Sequence, residues 1–532
     1  MSDEPVAKLT KAPVCIHDIA QVCAERWPDH SALVEASGTW NSRELVDAVV
    51  HAQKWLSESG VRSGDRVMIV CENSRAFVAI LFAVTSLSAW PVLVNARLSV
   101  REVDEIREHC GARRIIYTMA VSPHAAEHAA RHEAKTQEVA MLGQIAISDI
   151  NAEAIPEPVD PDPAQRVAAL IYTSGTTGVP KGVMLTHRNL LFVAEGSAKI
   201  RRLGIDDRVY GVLPMSHAVG LSVVLLGSLL SGSTLYLVSR FDPVSARMTL
   251  EKERITVVLG VPSTFTQLLQ YAKMRKLEKF QLPALRIIAS SGAPLDYAVK
   301  ADVEKTFGLP LHNGYGVTEC SPNIAQADID EIRTDTSVGK IFPGVEVKLI
   351  GGDGKPVPEG EVGELYVHGP GVMRGYYRAA EETAAAVDAA GWFNTRDLAR
   401  LEGRNLFIVG RTKDLIVHSG FNVYPAEVEA VLNSHFGVMQ SAVIGRPVVG
   451  DEEVIAFVQL SEGADITPTE LAQHAAKHLA PYKWPSKILI VPSMPLTPTG
   501  KIAKTALKKM AEEHLSGKAA GQATARATQF AT

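Results

Sequence analysis

Cysteine is scarce and scattered in this chain of 532 residues. Cys15, Cys23, Cys71, Cys110 and Cys320 form no CxxC pair and stand at no zinc-site spacing to histidine, which excludes a disulfide scaffold and a recognisable zinc motif. They read as reduced thiols of a cytoplasmic protein. An excess of one charge is lacking too. Lys plus Arg number 54 against 59 Asp plus Glu, and a net charge of −5 provides no broad basic field for nucleic acid or anionic lipid. Long apolar runs are missing as well. The most apolar segments, Phe77 to Trp90 and Val219 to Leu230, fall short of the roughly 20 residues that span a bilayer and read as buried helices, so no integral membrane segment is expected. The opening MSDEPVAKLTKAPV is acidic at its start and has no apolar run of signal type, so export is not expected.

What is present is ample core material. Apolar residues make up 46% and charged residues 21%, the composition of a chain that folds, and at about 150 residues per domain the length implies three or four folding units. From about Ile16 to Ile150 helical and strand patterns alternate, as in the helical Ser42 to Ser59 followed by the apolar strand Arg66 to Cys71. Asn151 to Gln165, rich in Pro, Asp and Glu, reads as a surface connection to a strand over Val167 to Tyr172. A second parallel-sheet unit is expected between Leu190 and Leu311, with strands at Val209 to Leu213, Thr234 to Val238, Thr256 to Leu259 and Leu285 to Ser290. After Ser337, short strands between Gly, Pro and acidic turns suggest a small antiparallel or barrel unit. From about Leu415 a small α+β domain follows, with helices at Pro425 to Ser434 and Pro468 to His478 and strands at Gln440 to Gly445 and Glu453 to Leu460. The Ala/Thr-rich end has no apolar periodicity and reads as a flexible tail.

The sharpest chemical signal is YTSGTTGVPKG, Tyr172 to Gly182. Thr173, Ser174, Thr176 and Thr177 offer hydroxyl donors. Gly175 and Gly178 let backbone N–H groups approach an anion, and Lys181 adds a positive charge. A glycine-rich loop of ordinary kind is simply solvated, and this one is not the usual nucleotide P-loop, because Gly182 stands where GxxxxGK[ST] requires Ser or Thr. Further along come PMSHAVG (Pro214 to Gly220), SSGAPL (Ser290 to Leu295), NGYGVTE (Asn313 to Glu319), GWFNTRDLA (Gly391 to Ala399), GRTKDLIVHSGFNVYPAEVE (Gly410 to Glu429) and PLTPTGKI (Pro495 to Ile502). Taken alone, Asn313-Gly314 reads as a plain hairpin turn, Asp397 with Arg411 as a surface ion pair, and Lys501 and Lys413 as solvated lysines. His217 among apolar neighbours reads as a structural histidine.

Together, and in this order over nearly the whole chain, these motifs resemble the adenylate-forming superfamily of acyl-CoA synthetases, firefly luciferase and nonribosomal peptide adenylation domains. The resemblance implies an α/β fold: a large N-terminal domain, residues 1–412, of two doubly wound α/β subdomains plus a small β-barrel, then a small mobile α+β lid, residues 413–515, and a tail, residues 516–532. It implies that Thr173, Ser174, Gly175, Thr176, Thr177, Gly178 and Lys181 hold the ATP phosphates, with Gly292, Ala293, Pro294, Asn313, Gly314 and Gly316 also at the nucleotide. Tyr315 would lie against the adenine, Thr318 on the α-phosphate, Glu319 on Mg²⁺, Asp397 on the ribose hydroxyls, and Arg411 near ribose and phosphate. Lys501 would bridge the attacking carboxylate and the α-phosphate, Lys413 would be the hinge of a domain rotation, and Ser419, Gly420 and Phe421 would then line a tunnel for the pantetheine arm. His217 would stand where that tunnel meets the acyl pocket, formed with Ala218, Val219, Leu259, Ser291, Gly314, Gly316, Ser321 and Pro322. Two positions depart from the family: Arg396 precedes Asp397 where glycine is common, and Ser216 precedes His217 where an aromatic residue is common.

The reaction so implied joins an acid to AMP with loss of pyrophosphate and then passes the acyl group to a thiol. No enzyme nucleophile is required, in keeping with the absence of a GxSxG elbow. The expected pocket residues include no Arg or Lys, which argues against a dicarboxylate or an α-amino acid and for a medium or long fatty acid or an aromatic acid. Free coenzyme A is the expected acceptor. A carrier protein, a luciferase-like oxygenation, or a non-catalytic binding paralogue are the alternatives, the last opposed by the presence of Glu319 and Lys501. A homodimer is a further expectation from the resemblance.

Overall fold

The protein is described by a computed structural model covering residues 12–174, 180–448, 451–461, 463–496 and 502–515. Expectations placed on Gly175, Thr176, Thr177, Gly178, Lys501 and the tail lie outside the described residues. The chain divides into two compact units: residues 1–292, 303–348 and 366–395 form one, and residues 293–302, 349–365 and 396–532 the other.

Local chemistry sets the elements of the first unit. Asn41 caps the helix Ser42–Glu58 by accepting from the Glu44 amide, while the Glu44 carboxylate accepts from the Asn41 amide, a reciprocal box that satisfies two orphan donors. The apolar segment after Ser74 is the helix Arg75–Ser86, buried from Ala76 to Thr85. It ends before Trp90, which opens the fully buried strand Trp90–Asn95. Among the described residues no helix is long and apolar enough to cross a membrane.

Two mixed sheets form this unit's frame. In one, Arg66–Cys71 lies between Trp90–Asn95 and Arg114–Thr118, parallel to both, and Val167–Ser174 runs parallel to the far side of Trp90–Asn95. Strand Pro180–Thr186 continues this sheet antiparallel, and Gly375–Tyr376 follows it, also antiparallel. In the other sheet, Leu311–Gly316, Ile287–Ser290, Val257–Gly260, Arg208–Gly211 and Thr234–Leu237 are parallel neighbours. The strand Ser31–Glu35 pairs parallel with Thr234–Leu237. The early strand thus belongs to the second sheet: the alternation of helix and strand read over Ile16 to Ile150 fixes the element types and not their partners.

The second unit is α+β. Its sheet joins Val438–Val448 and Asp451–Leu460 antiparallel, with Lys487–Ile490 parallel to the latter. Helix Pro468–His478 starts on a box between Thr467 and Glu470, with proline in its first turn, where no amide hydrogen is needed. Val428, Leu432, Leu471 and Ala475 from two helices pack on Val443, Val454 and Ala456.

Candidate active site

Val167–Ser174 and Pro180–Thr186 pair antiparallel, with Thr173 opposite Lys181 and Tyr172 opposite Gly182. Tyr376, from the neighbouring strand, is opposite Val183. That register sets the Tyr376 ring 5.2 Å from Lys181 Nζ, a cation–π contact. The Tyr376 hydroxyl donates to Glu319 Oε1 at 2.9 Å. Burial, and then the Glu319 charge, push the phenol pKa well above its ordinary value, so it stays a donor. The motifs gave Lys181 and Glu319 but missed Tyr376. Its own neighbours are ordinary, and the pairing with residues remote in sequence is what brings it here.

Asn313, Gly314, Tyr315 and Gly316 lie in the strand Leu311–Gly316, so Asn313-Gly314 is not the plain turn it suggests in isolation. Asn313 donates from Nδ2 to the Thr336 carbonyl at 3.2 Å and accepts the Gly314 amide at 3.0 Å, which holds its side chain. A Cβ at Gly316 would stand 2.0 Å from the Pro322 carbonyl oxygen, so the strand passes this point only as glycine. Thr318 and Glu319 follow in the 3-10 turn Thr318–Cys320, both half-buried. The Met373 amide donates to the Glu319 carbonyl at 2.8 Å and ties this turn to the segment leading to Tyr376. A carboxylate and a nearby hydroxyl are hard oxygen donors, and the half-exposed Glu319 fits the ligand preference of Mg²⁺. Gly292 follows the strand Ile287–Ser290 at φ +82, a left-handed conformation natural to glycine, and Ala293 and Pro294 continue the loop toward the helix Tyr297–Phe307.

A cavity in the first unit is lined by Val219, Leu259, Ser291 and Gly314, all expected in the acyl pocket. His217, Ala218, Gly316, Ser321 and Pro322 are not among its lining residues. His217 is half-buried, its amide donating to the Pro214 carbonyl at 3.0 Å ahead of the π-helix Val219–Leu226. Within that helix Val219 and Val223 share the face that meets the cavity. A Cβ on Gly220 would fall 2.1 Å from the Pro214 carbonyl oxygen, so this packing too requires glycine. The lining also contains Arg201, Ser290, His312 and Gln326. The wall of this cavity thus carries a cation in addition to the residues expected from the motifs. Arg201 follows the helix His187–Ile200 and belongs to none of the motifs, so only the fold brings it to the wall.

In the second unit, Asp397 to Glu402 of the strand Phe393–Glu402 pair antiparallel with Asn405–Arg411, Asp397 directly opposite Arg411. Arg411 Nε stands 2.9 Å from Asp397 Oδ1, with Asp397 buried and Arg411 half-exposed. Arg396 has φ +60, the left-handed region that favours glycine, and its exposed side chain approaches Glu364 at 3.7 Å. The departure from the family's glycine thus keeps the backbone shape and turns the bulk to solvent. Lys413 is exposed in the short turn Thr412–Asp414. Ser419 and Gly420 form the reversal between Ile416–His418 and Phe421–Val423, with φ +53 and φ +78. The Ser419 amide donates to Asp451 Oδ1 at 2.8 Å, and Phe421 stacks on Tyr482 with ring centroids 4.7 Å apart.

None of the five cysteines is in a disulfide, and all are buried. Cys15, His17 and His187 bring three atoms of ligand type close together, a grouping invisible in the sequence. His187 Nδ1, however, accepts the Ile16 amide at 3.0 Å, which places the proton of the neutral ring on Nε2 and removes its second lone pair. Burial pushes the His187 pKa down to about 3, so the ring is neutral, and the trio is a packing arrangement and not a metal site.

The comparisons agree with this architecture. Residues 20–377 match the AMP-binding enzyme family and residues 427–501 the AMP-binding enzyme C-terminal domain. The chain belongs to the AMP-binding enzyme family and is an AMP-forming ligase. It is 36% identical over 493 residues to a feruloyl-CoA synthase of an Amycolatopsis species, covering 91% of this chain and 96% of the relative. Among solved structures, ATP-bound MatB from Rhodopseudomonas palustris superposes with a TM-score of 0.82 at 28% identity, covering 94% of this chain and 99% of that one. The o-succinylbenzoate coenzyme A synthetase MenE of Bacillus subtilis, in complex with ATP and magnesium ion, gives 0.79 at 29% identity, covering 92% and 99%.

Proposed function

We propose that the protein activates a carboxylic acid with ATP and passes it to coenzyme A. In the first half-reaction a carboxylate oxygen attacks the α-phosphorus, the bond to the bridging oxygen breaks, and pyrophosphate leaves. In the second the thiol attacks the acyl carbon, loses its proton, and expels AMP. The order is dictated by leaving groups: a carboxylate offers a thiol only oxide, whereas AMP departs readily from a mixed anhydride.

The observation that carries this reading is the grouping of Lys181, Tyr376 and Glu319 at the paired strands that flank the Gly/Thr sequence. Acid and ATP are both anions, and their approach needs fixed positive charge and donors. In this reading Thr173, Ser174, Gly175 to Gly178 and Lys181 bind phosphate oxygens, Tyr315 stacks on adenine, and Thr318 donates to the α-phosphate. Gly292, Ala293, Pro294, Asn313, Gly314 and Gly316 complete the nucleotide contacts. Glu319 holds Mg²⁺, oriented by Tyr376, and the ion, when bound, offsets phosphate charge. Asp397 accepts from the ribose hydroxyls, Arg411 orients that carboxylate, and Lys501 bridges the reacting anions. Lys413 is the hinge between domains of residues 1–412 and 413–515, and Ser419 to Phe421 line the thiol path with His217 at its end. The substrate is a fatty or aromatic acid whose body lies on Val219 and Leu259. The finer architecture that goes with this reading is two doubly wound subdomains with a small β-barrel, in a cytoplasmic homodimer.

The test is incubation with ATP, Mg²⁺, coenzyme A and a panel of carboxylic acids, following pyrophosphate and AMP. Thioester with equal pyrophosphate is expected. Pyrophosphate without thioester means another acceptor, and no pyrophosphate with any acid overturns the reading.

A further inference from the structure

The wall of the acyl cavity includes a buried cation with no counter-ion among the described residues. Arg201 is 7% exposed, and its side-chain hydrogen bonds among the described residues run from Nη1 to the carbonyl and hydroxyl oxygens of Ser197. Its buried Nε has no partner among the described residues. The nearby carboxylate of Asp207 is engaged by Arg286, at 2.8 Å from Nε and 2.6 Å from Nη2. Burial alone pushes the Arg201 pKa down to about 10, with no neighbouring carboxylate acting against it. On the same cavity, Ser290 is 2% exposed and its hydroxyl also lacks a partner among the described residues.

An unpaired buried cation and an unmade buried hydrogen bond both cost stability. Two such groups on residues that line one cavity are explained if the missing partner arrives with the ligand. The partner's chemistry follows from the atoms left open. The edge of the guanidinium carrying Nε is the side-on fork that matches two coplanar carboxylate oxygens, and a serine hydroxyl can donate to the same group. A hydroxyl, ether or methyl group would leave the charge uncompensated. Val219, Val223 and Leu259 supply apolar wall for the body of such a molecule.

We propose that the acid activated by this enzyme carries a second carboxylate, away from the one that is adenylated, and that Arg201 and Ser290 receive it. The proposal rests on the acyl cavity of the function proposed above and names its substrate class: an acid with an apolar body and an anionic far end.

The experiment compares acids matched in size. Octanoate is set against octanedioate, and cinnamate against its 4-carboxy and 4-methoxy derivatives, with ATP, Mg²⁺ and coenzyme A, reading kcat and KM from pyrophosphate release. The carboxy member of at least one set should exceed its neutral partners by about tenfold or more in kcat/KM, as a charge-assisted bidentate contact implies. Arg201→Leu should abolish that preference by raising KM for the diacid by about tenfold or more relative to KM for the neutral acid. Ser290→Ala should weaken the preference less. Preference for the neutral member in both sets, or an unchanged preference in Arg201→Leu, overturns the proposal. If Arg201→Leu does not fold, the wild-type comparison decides alone. Absence of pyrophosphate with every acid removes the adenylation reading and this proposal with it, whereas turnover of neutral acids only removes this proposal and leaves that reading standing.

Discussion

Tyr376 holds Glu319: its hydroxyl donates to Oε1 at 2.9 Å while Lys181 lies 5.2 Å from its ring. One side chain thus links a carboxylate suited to a hard cation with a lysine suited to phosphate. Removing the hydroxyl takes this donor from the carboxylate, and hydrogen bonds to charged groups are worth about 1.5–3 kcal/mol. Tyr376→Phe should therefore cut kcat/KM for pyrophosphate release by about tenfold or more and raise the Mg²⁺ concentration needed for half-maximal rate. An unchanged Mg²⁺ titration would show that Tyr376 only packs.

Lys501 is assigned to adenylation alone. Lys501→Ala should cripple pyrophosphate release from acid and ATP yet leave thioester formation from a supplied acyl-adenylate close to wild type. Equal loss in both half-reactions would refute the assignment.

Arg396 keeps a glycine-like backbone at φ +60. A side chain in the left-handed region costs about 1–2 kcal/mol, partly offset in a glycine variant by about 0.5–1 kcal/mol of added chain entropy. The pairing with Glu364, at 3.7 Å and with Arg396 60% exposed, adds little. Arg396→Gly should raise the stability of the second unit by roughly 0.5–1 kcal/mol, read as a higher urea midpoint with unchanged slope.

His187 stays neutral in the fold, its pKa down at about 3 from an ordinary 6.5 through burial and then the neighbouring His17 and Arg166. Above pH 6.5 both folded and unfolded forms are neutral at this site, so it contributes no pH dependence there. As pH falls below 6.5 the unfolded chain takes up a proton that the folded one refuses, and stability declines by up to about 1.4 kcal/mol per pH unit until about pH 3. His17, whose pKa burial also lowers, adds in the same direction, while Asp18 opposes it. His187→Asn, which keeps an acceptor for the Ile16 amide, should flatten the urea midpoint between pH 6.5 and 5. An equally steep decline in the variant would assign the effect elsewhere.

How much the sequence reveals depends on whether the cause is local. The strand Arg66–Cys71 and the helix Pro468–His478 were legible to the residue, because apolar patterning, a proline at the first turn and a capping threonine act over a few positions. Asp397 and Arg411 were legible from motifs, and the hairpin register pairs them. Tyr376 and Arg201 were not. One acts through a strand pairing across nearly two hundred positions, and the other through the direction in which a helix end meets a cavity wall. The second sheet's use of Ser31–Glu35 was hidden for the same reason.

That early strand has a practical consequence. Thr234–Leu237 is buried at every position, and Ser31–Glu35 covers one of its edges. A version of the protein begun after Asn41 would uncover a row of unpaired amides and carbonyls beside apolar side chains, which is a template for self-association. Shortened forms of this enzyme should therefore keep the amino end, since trimming it invites aggregates.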